Sequence, residues 1–132
     1  MGGWPYQYVV AFQIDAQAAL DALRADVFAR GDYYGSQARP RNIKEAVDRS
    51  GESGTRSILD IERVSKSPAL RRAAPLTPAE VARYFGEAKP TVRMVEECDD
   101  LWEDLERGQA RYMVTYEGDV PVNLVFVGYS FD

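Results

Sequence analysis

Residues 110–129 have the pattern of a β-hairpin, with two strand segments joined by a short turn, and this feature constrains the fold most. Tyr112, Val114 and Tyr116 face one way and Met113 and Thr115 the other, after which the letters EGD indicate a turn. The returning segment is apolar on both faces over residues 124–127. Because such a strand needs cover on both sides, at least in part, it is predicted to lie in the middle of a sheet.

Six further segments complete the predicted fold. Residues 6–14 alternate as a half-buried strand, and residues 56–64 are predicted to form another strand. Apolar spacing and capping residues predict helices near 16–30, 43–49, 78–85 and 92–107. The order predicts an α+β fold with a mainly antiparallel four-stranded sheet and helices on one face, a two-layer sandwich. The length predicts one α+β domain over residues 1–132.

Two local motifs are explained by the fold and do not indicate a catalytic or binding site. Thr77, Pro78 and Glu80 are typical of a capping box at the start of a helix. The letters SGESGT, residues 50–55, resemble a phosphate loop only in their glycines. They lack the lysine of such a loop and precede a predicted strand where a phosphate loop needs a helix, so they are predicted to form a turn.

The chain contains no histidine and one cysteine, Cys98, which excludes several classes of active site. Ser-His and Cys-His nucleophile pairs are impossible, and nearly every zinc site is excluded. We therefore expect no metal and no cofactor. Carboxylates, Tyr, Lys and Arg remain as acids and bases, so catalysis stays open while the composition favours a protein without it.

Acidic residues are concentrated in one predicted helix. Residues 94–132 carry two arginines against ten acids, whereas residues 37–93 carry twelve Lys or Arg against seven acids. Within residues 92–107 the apolar side chains share one arc of the helix and seven acids fill the rest. This pattern is typical of a solubilising face, and it is also typical of a surface that docks a basic protein. The residues predicted to bind such a partner are Glu96, Glu97, Asp100, Glu103 and Asp104.

Two function hypotheses follow. The first is a small acidic protein-binding module: an inhibitor, an immunity-type protein or a regulatory partner of a basic protein. The alternative is a small-molecule-binding protein or an enzyme with a pocket on the sheet. Asp60 and Glu62 would share one face of the predicted strand and serve as acid or base, although the pattern favours a solvated sheet face or an edge strand protected by charge. The tyrosines predicted to line the pocket are Tyr8, Tyr112, Tyr116 and Tyr129.

The remaining expectations concern location and other partners. The net charge is −5 and the basic residues near 66–72 have no interleaved aromatic residues, so no nucleic-acid partner is expected. No apolar run approaches the roughly 20 residues that span a bilayer. The first residues do not resemble a secretory signal, and one cysteine fits a reducing compartment. We therefore predict a cytoplasmic protein without membrane association, and a homodimer formed through the sheet is a further alternative.

Overall fold

The computed structural model describes residues 3–132, and within them five strands form one mixed sheet accompanied by five α-helices. The strands are β1 (Pro5–Ala11), β2 (Arg63–Val64), β3 (Arg72–Pro75), β4 (Ala110–Glu117) and β5 (Val120–Tyr129). The helices are α1 (Ala16–Arg30), α2 (Ile43–Ser50), α3 (Pro78–Phe85), α4 (Val92–Glu96) and α5 (Asp99–Asp104). The predicted α+β class is confirmed. None of these helices is long and apolar enough to cross a membrane.

The strand order is β1-β5-β4-β3-β2. β1, β5 and β4 are antiparallel and are the three longest strands, whereas β3 and β2 pair in parallel. The predicted four-stranded, mainly antiparallel sheet is therefore correct for this antiparallel half. It misses the short parallel pair that extends the sheet beyond β4.

Helices cover both faces of the sheet, so the predicted two-layer sandwich is wrong. Leu124 and Phe126 of β5 belong to a core that includes α1 and α2. Val125 and Val127 belong to a second core under α3, α4 and α5. Successive side chains of a strand point to opposite faces, so the apolar run in β5 supplies both cores.

The predicted helix signals are confirmed at two helices. Asp15 caps α1 by accepting a hydrogen bond from the N–H of Ala18 at 3.0 Å, and Gly31 ends that helix at φ +66°. Thr77 and Glu80 form both hydrogen bonds of the capping box at the start of α3.

The strand predicted for residues 56–64 is wrong. Ser57 accepts a hydrogen bond from the N–H of Leu59 and starts a single 3-10 turn over Ile58–Asp60. The four consecutive residues 58–61 are all buried, which is incompatible with the alternation of a half-buried strand. Only Arg63–Val64 pairs with the sheet.

The helix predicted for residues 92–107 is two short helices, α4 and α5, separated at Glu97 and Cys98. The Val95 carbonyl, which a continuous helix would pair with the N–H of residue 99, instead accepts from the N–H of Cys98 and from the indole N–H of Trp102, each at 3.3 Å. The break places Asp99 and Asp100 in the first turn of α5, where acidic side chains are stabilised by the helix dipole.

Candidate functional site

The most distinctive surface is the acidic ridge, which we define as the carboxylates carried by α4, α5 and their flanking residues. Val95 and Leu101 are buried under these helices and Trp102 is half-buried, so the apolar side of the segment faces the sheet as expected. Each carboxylate residue of the ridge is exposed. The ridge comprises Glu96, Glu97, Asp99, Asp100, Glu103, Asp104 and Glu106.

Three of the ridge carboxylates have partners within the protein. Glu96 accepts from the amide of Gln7 at 3.2 Å, and Glu97 pairs with Arg93 at 3.3 Å. Asp104 lies 3.7 Å from Arg83.

The other four carboxylates, Asp99, Asp100, Glu103 and Glu106, form no side-chain hydrogen bond or ion pair within residues 3–132. Most of the ridge charge is therefore directed at solvent.

A cleft of about 260 Å³ lies at the end of the ridge, between α3, α5 and β4. Tyr84 donates a hydrogen bond to Asp104 across it at 2.5 Å, and burial followed by the Asp104 hydrogen bond raises the pKa of the Tyr84 hydroxyl. Leu101 and Leu105 provide apolar wall, and Glu106 also lines the cleft. The cleft therefore combines apolar surface with carboxylates.

Arg111 also lines this cleft, but its charge is matched by Glu80. The guanidinium donates to both oxygens of the Glu80 carboxylate, at 2.6 and 3.1 Å, and to the carbonyls of Ala74 and Pro75. The Arg111 hydrogen bonds lower the pKa of Glu80. This arrangement joins α3 to the sheet and keeps the cleft from being positively charged.

Asp60 and Glu62 do not form the predicted acid pair. Asp60 is 0% exposed; its Oδ1 accepts from the N–H of Thr55 at 2.8 Å and from the Thr55 hydroxyl at 2.9 Å. Its Oδ2 has no hydrogen-bond partner among residues 3–132, and burial raises the pKa of this carboxyl while the Thr55 hydrogen bonds lower it. Glu62 is exposed and pairs with Arg72 at 3.1 Å. The two were expected to share a strand face, and the 3-10 turn at 58–60 separates them.

The four predicted pocket tyrosines do not converge on one site. Tyr8 is partly buried, and its hydroxyl accepts a hydrogen bond from the N–H of Ile58 at 3.4 Å. Tyr129 packs edge-on against Trp102, with ring centroids 6.0 Å apart, on the opposite face of the sheet. Tyr112 and Tyr116 do share a cavity, of about 250 Å³, whose other walls are aliphatic. Its lining contains Leu76, Val81, Ala88, Met113 and Val114 but no acid.

An exposed aromatic cluster was not anticipated. The guanidinium of Arg56 lies 5.1 Å from the ring centroid of Trp4 and 4.3 Å from that of Tyr34. Trp, Tyr and Arg are the residue types most enriched at binding hot spots. The three are far apart in the sequence, so no local pattern indicated this cluster.

A search for metal-binding groups in the described part of the chain and comparisons with known proteins were both negative. Among residues 3–132, no group of three or more potential metal ligands is arranged to hold an ion. Comparisons of the chain with protein-family models, with curated proteins and with solved structures found no match.

Proposed function

We propose that this chain is a small binding protein that docks onto a basic surface of a partner protein through the acidic ridge. The observation that supports this most strongly is the exposure of seven carboxylates on one short segment, four of them unpaired within the described residues. Inhibitors, immunity-type proteins and regulatory partners of basic proteins are the functional classes that this surface fits.

Long-range attraction explains why such a surface favours a basic partner. Like charges held close together create a local potential that attracts a cationic surface before contact. Steered association can exceed the usual protein–protein rate by about 100-fold or more at low ionic strength. Salt screens this attraction over distances of about 10 Å, so the effect should weaken as salt is added.

The cleft beside the ridge gives the proposed surface a recess for one basic side chain. A lysine or arginine has an apolar stem and a charged head. Leu105, which is half-buried, can contact the stem, while Asp104 and Glu106 supply carboxylates near the head. The matched Arg111–Glu80 pair leaves that charge pattern intact.

The test compares two triple variants with the same change in net charge. The ridge variant carries Asp100→Asn, Glu103→Gln and Glu106→Gln. The control variant carries Glu52→Gln, Glu87→Gln and Glu117→Gln, which are exposed carboxylates outside the ridge. Partners are first captured from a lysate of the source cells on the immobilised wild-type protein at low salt, and the captured protein is then purified.

Association rates of the purified partner with each variant are measured by surface plasmon resonance. The proposal predicts that the ridge variant associates about tenfold more slowly than wild type at low salt, whereas the control variant stays within about twofold. Equal slowing of both variants would mean that only net charge matters, and an unchanged ridge variant would overturn the proposal.

A second candidate function is binding of a small apolar molecule in the cavity lined by Tyr112 and Tyr116. Its volume of about 250 Å³ and its uncharged lining suit a compact aromatic molecule. Catalysis is not part of this candidate because Asp60 lies in the core and no acid lines the cavity.

Titration with indole, followed by NMR shifts, tests this second candidate. Ala88→Phe would fill the cavity and abolish saturable shifts, whereas Ala82→Phe, on α3 outside the cavity lining, would retain them. Absence of saturable shifts in the wild type would exclude the candidate.

A further inference from the structure

β1 forms one edge of the sheet along its whole length. Its register with β5 runs without a bulge from Pro5 opposite Tyr129 to Ala11 opposite Asn123. Among the described residues no strand lies on its other side. The opposite edge of the sheet is β2, which has only two residues and includes Arg63. The edges therefore differ, because β2 is short and charged while β1 is long and uncharged.

The unpaired backbone groups of β1 can be assigned by residue parity. The N–H of Phe12 donates to Val122, and the carbonyl of Trp4 accepts from Ser130, so even-numbered residues turn their groups toward β5. Groups alternate along an antiparallel strand, so Gln7, Val9 and Ala11 direct both N–H and C=O outward. Three donors and three acceptors are thus arranged for pairing with a further strand.

Exposed apolar side chains are concentrated on the same edge. Val9 is 44% exposed, and the residues flanking β1 include Trp4 at 52% and Ile14 at 95%. Natural edge strands usually carry charges, bulges or covering segments that prevent pairing with another chain. In β1, Pro5 at the first position is the only such feature, and its missing N–H affects only the end of the strand.

We propose that β1 pairs antiparallel with β1 of a second copy of this chain, around a two-fold axis at Val9. In this register Val9 faces its own symmetry mate and Gln7 faces Ala11 of the second copy, so all six outward groups on each chain bond. A symmetric pairing of this kind is closed and stops at two copies.

A second copy fits this edge better than a foreign basic segment does. β1 contains no charged residue, so it offers a basic peptide no electrostatic advantage. The pairing uses backbone groups of β1 and none of the ridge carboxylates, and its salt dependence has the opposite sign. Two chains of net charge −5 repel each other, so added salt should strengthen the dimer while it weakens docking of a basic partner.

Disulfide trapping tests the pairing directly, in a Cys98→Ser background so that no other thiol is present. Directly opposite residues in a hydrogen-bonded antiparallel pair have Cα atoms about 5.5 Å apart, which a disulfide can bridge. The Val9→Cys variant should therefore form a covalent dimer under mild oxidation. The matched control is Val120→Cys, which changes another valine, 61% exposed, at the β4–β5 turn and should stay monomeric.

Register and reversibility provide two further readouts. Gln7→Cys and Ala11→Cys should each remain uncrosslinked alone and crosslink when mixed, because each faces the other across the axis. By sedimentation velocity, Val9→Lys should be monomeric at concentrations where wild type and Val120→Lys are dimeric. A monomeric wild type, equal trapping of Val9→Cys and Val120→Cys, or a monomer that copurifies with a peptide on this edge would each overturn the proposal.

Discussion

Replacing Asp60 separates the role of its hydrogen bonds from the role of its charge. Asp60→Ala removes the only acceptor seen for the N–H of Thr55 and leaves that donor buried. A buried donor without a partner costs about 1–3 kcal/mol, so the free energy of unfolding should fall by about that amount. A domain typically has about 5–15 kcal/mol of stability, so this variant should remain folded and measurable.

Asp60→Asn keeps the acceptor oxygen and removes the charge, so its effect should depend on pH. Burial raises the pKa of the Asp60 carboxyl in the folded protein, whereas the pKa of an aspartate in the unfolded chain is about 3.9. Between the unfolded pKa and the raised folded pKa, the Asp60 carboxyl is protonated to a greater extent in the folded state than in the unfolded state. Wild type therefore loses stability relative to Asp60→Asn through this window, and the difference is constant above it.

Urea unfolding of wild type, Asp60→Asn and Asp60→Ala at a series of pH values measures both effects. Other titrating groups are common to all three proteins and cancel in the differences. We expect Asp60→Asn to gain stability relative to wild type as the pH rises, and Asp60→Ala to stay less stable than Asp60→Asn throughout. A difference between Asp60→Asn and wild type that stays flat or falls with pH would refute the reasoning.

Two further predictions concern local geometry. Thr77→Ala should lower the free energy of unfolding by about 1 kcal/mol in urea titrations because the capping hydrogen bond to Glu80 is lost, and Thr77→Ser should restore it. Gly86→Ala and Gly108→Ala both place alanine at a left-handed φ, +72° and +75°, but only the second meets the Phe131 ring. Gly108→Ala should therefore lower the free energy of unfolding by about 1–3 kcal/mol more than Gly86→Ala, and its melting temperature should be correspondingly lower. Equal losses in the two variants would contradict the predicted clash.

Local signals predicted much of the fold because the residues that carry them act on their own neighbours. Asp15, Thr77 and Glu80 cap helices through contacts within three residues, and the alternation in β1 and β4 depends only on which faces are buried. The parallel pair of β2 and β3 depends on contacts between distant segments, and no local pattern indicated it.

The segment around Asp60 shows why the predicted strand failed. Thr55, Ser57 and Asp60 hydrogen-bond to one another and to the nearby backbone, which competes with strand pairing. The sequence pattern alone gave their side chains two alternating faces. In the structure Ser57 and Asp60, which that pattern placed on opposite faces of the predicted strand, instead hold a buried 3-10 turn together with Thr55.

The acidic ridge was predicted from composition, and its exposure follows the predicted amphipathic arc. Its division into α4 and α5 was not predicted, since the Val95 carbonyl at the break accepts from the N–H of Cys98 and from the indole of Trp102, seven residues away. The edge formed by β1 likewise required the strand order, because an uncharged strand can lie at the centre or the edge of a sheet.

The salt dependence of partner association tests the proposed docking role of the ridge most directly. Stopped-flow measurements with the captured partner, between about 50 and 500 mM NaCl, separate the association rate from the dissociation rate. Docking through the ridge predicts that the association rate falls by about tenfold or more over this range while dissociation changes little. An association rate that is constant across the range would contradict electrostatic docking through these carboxylates.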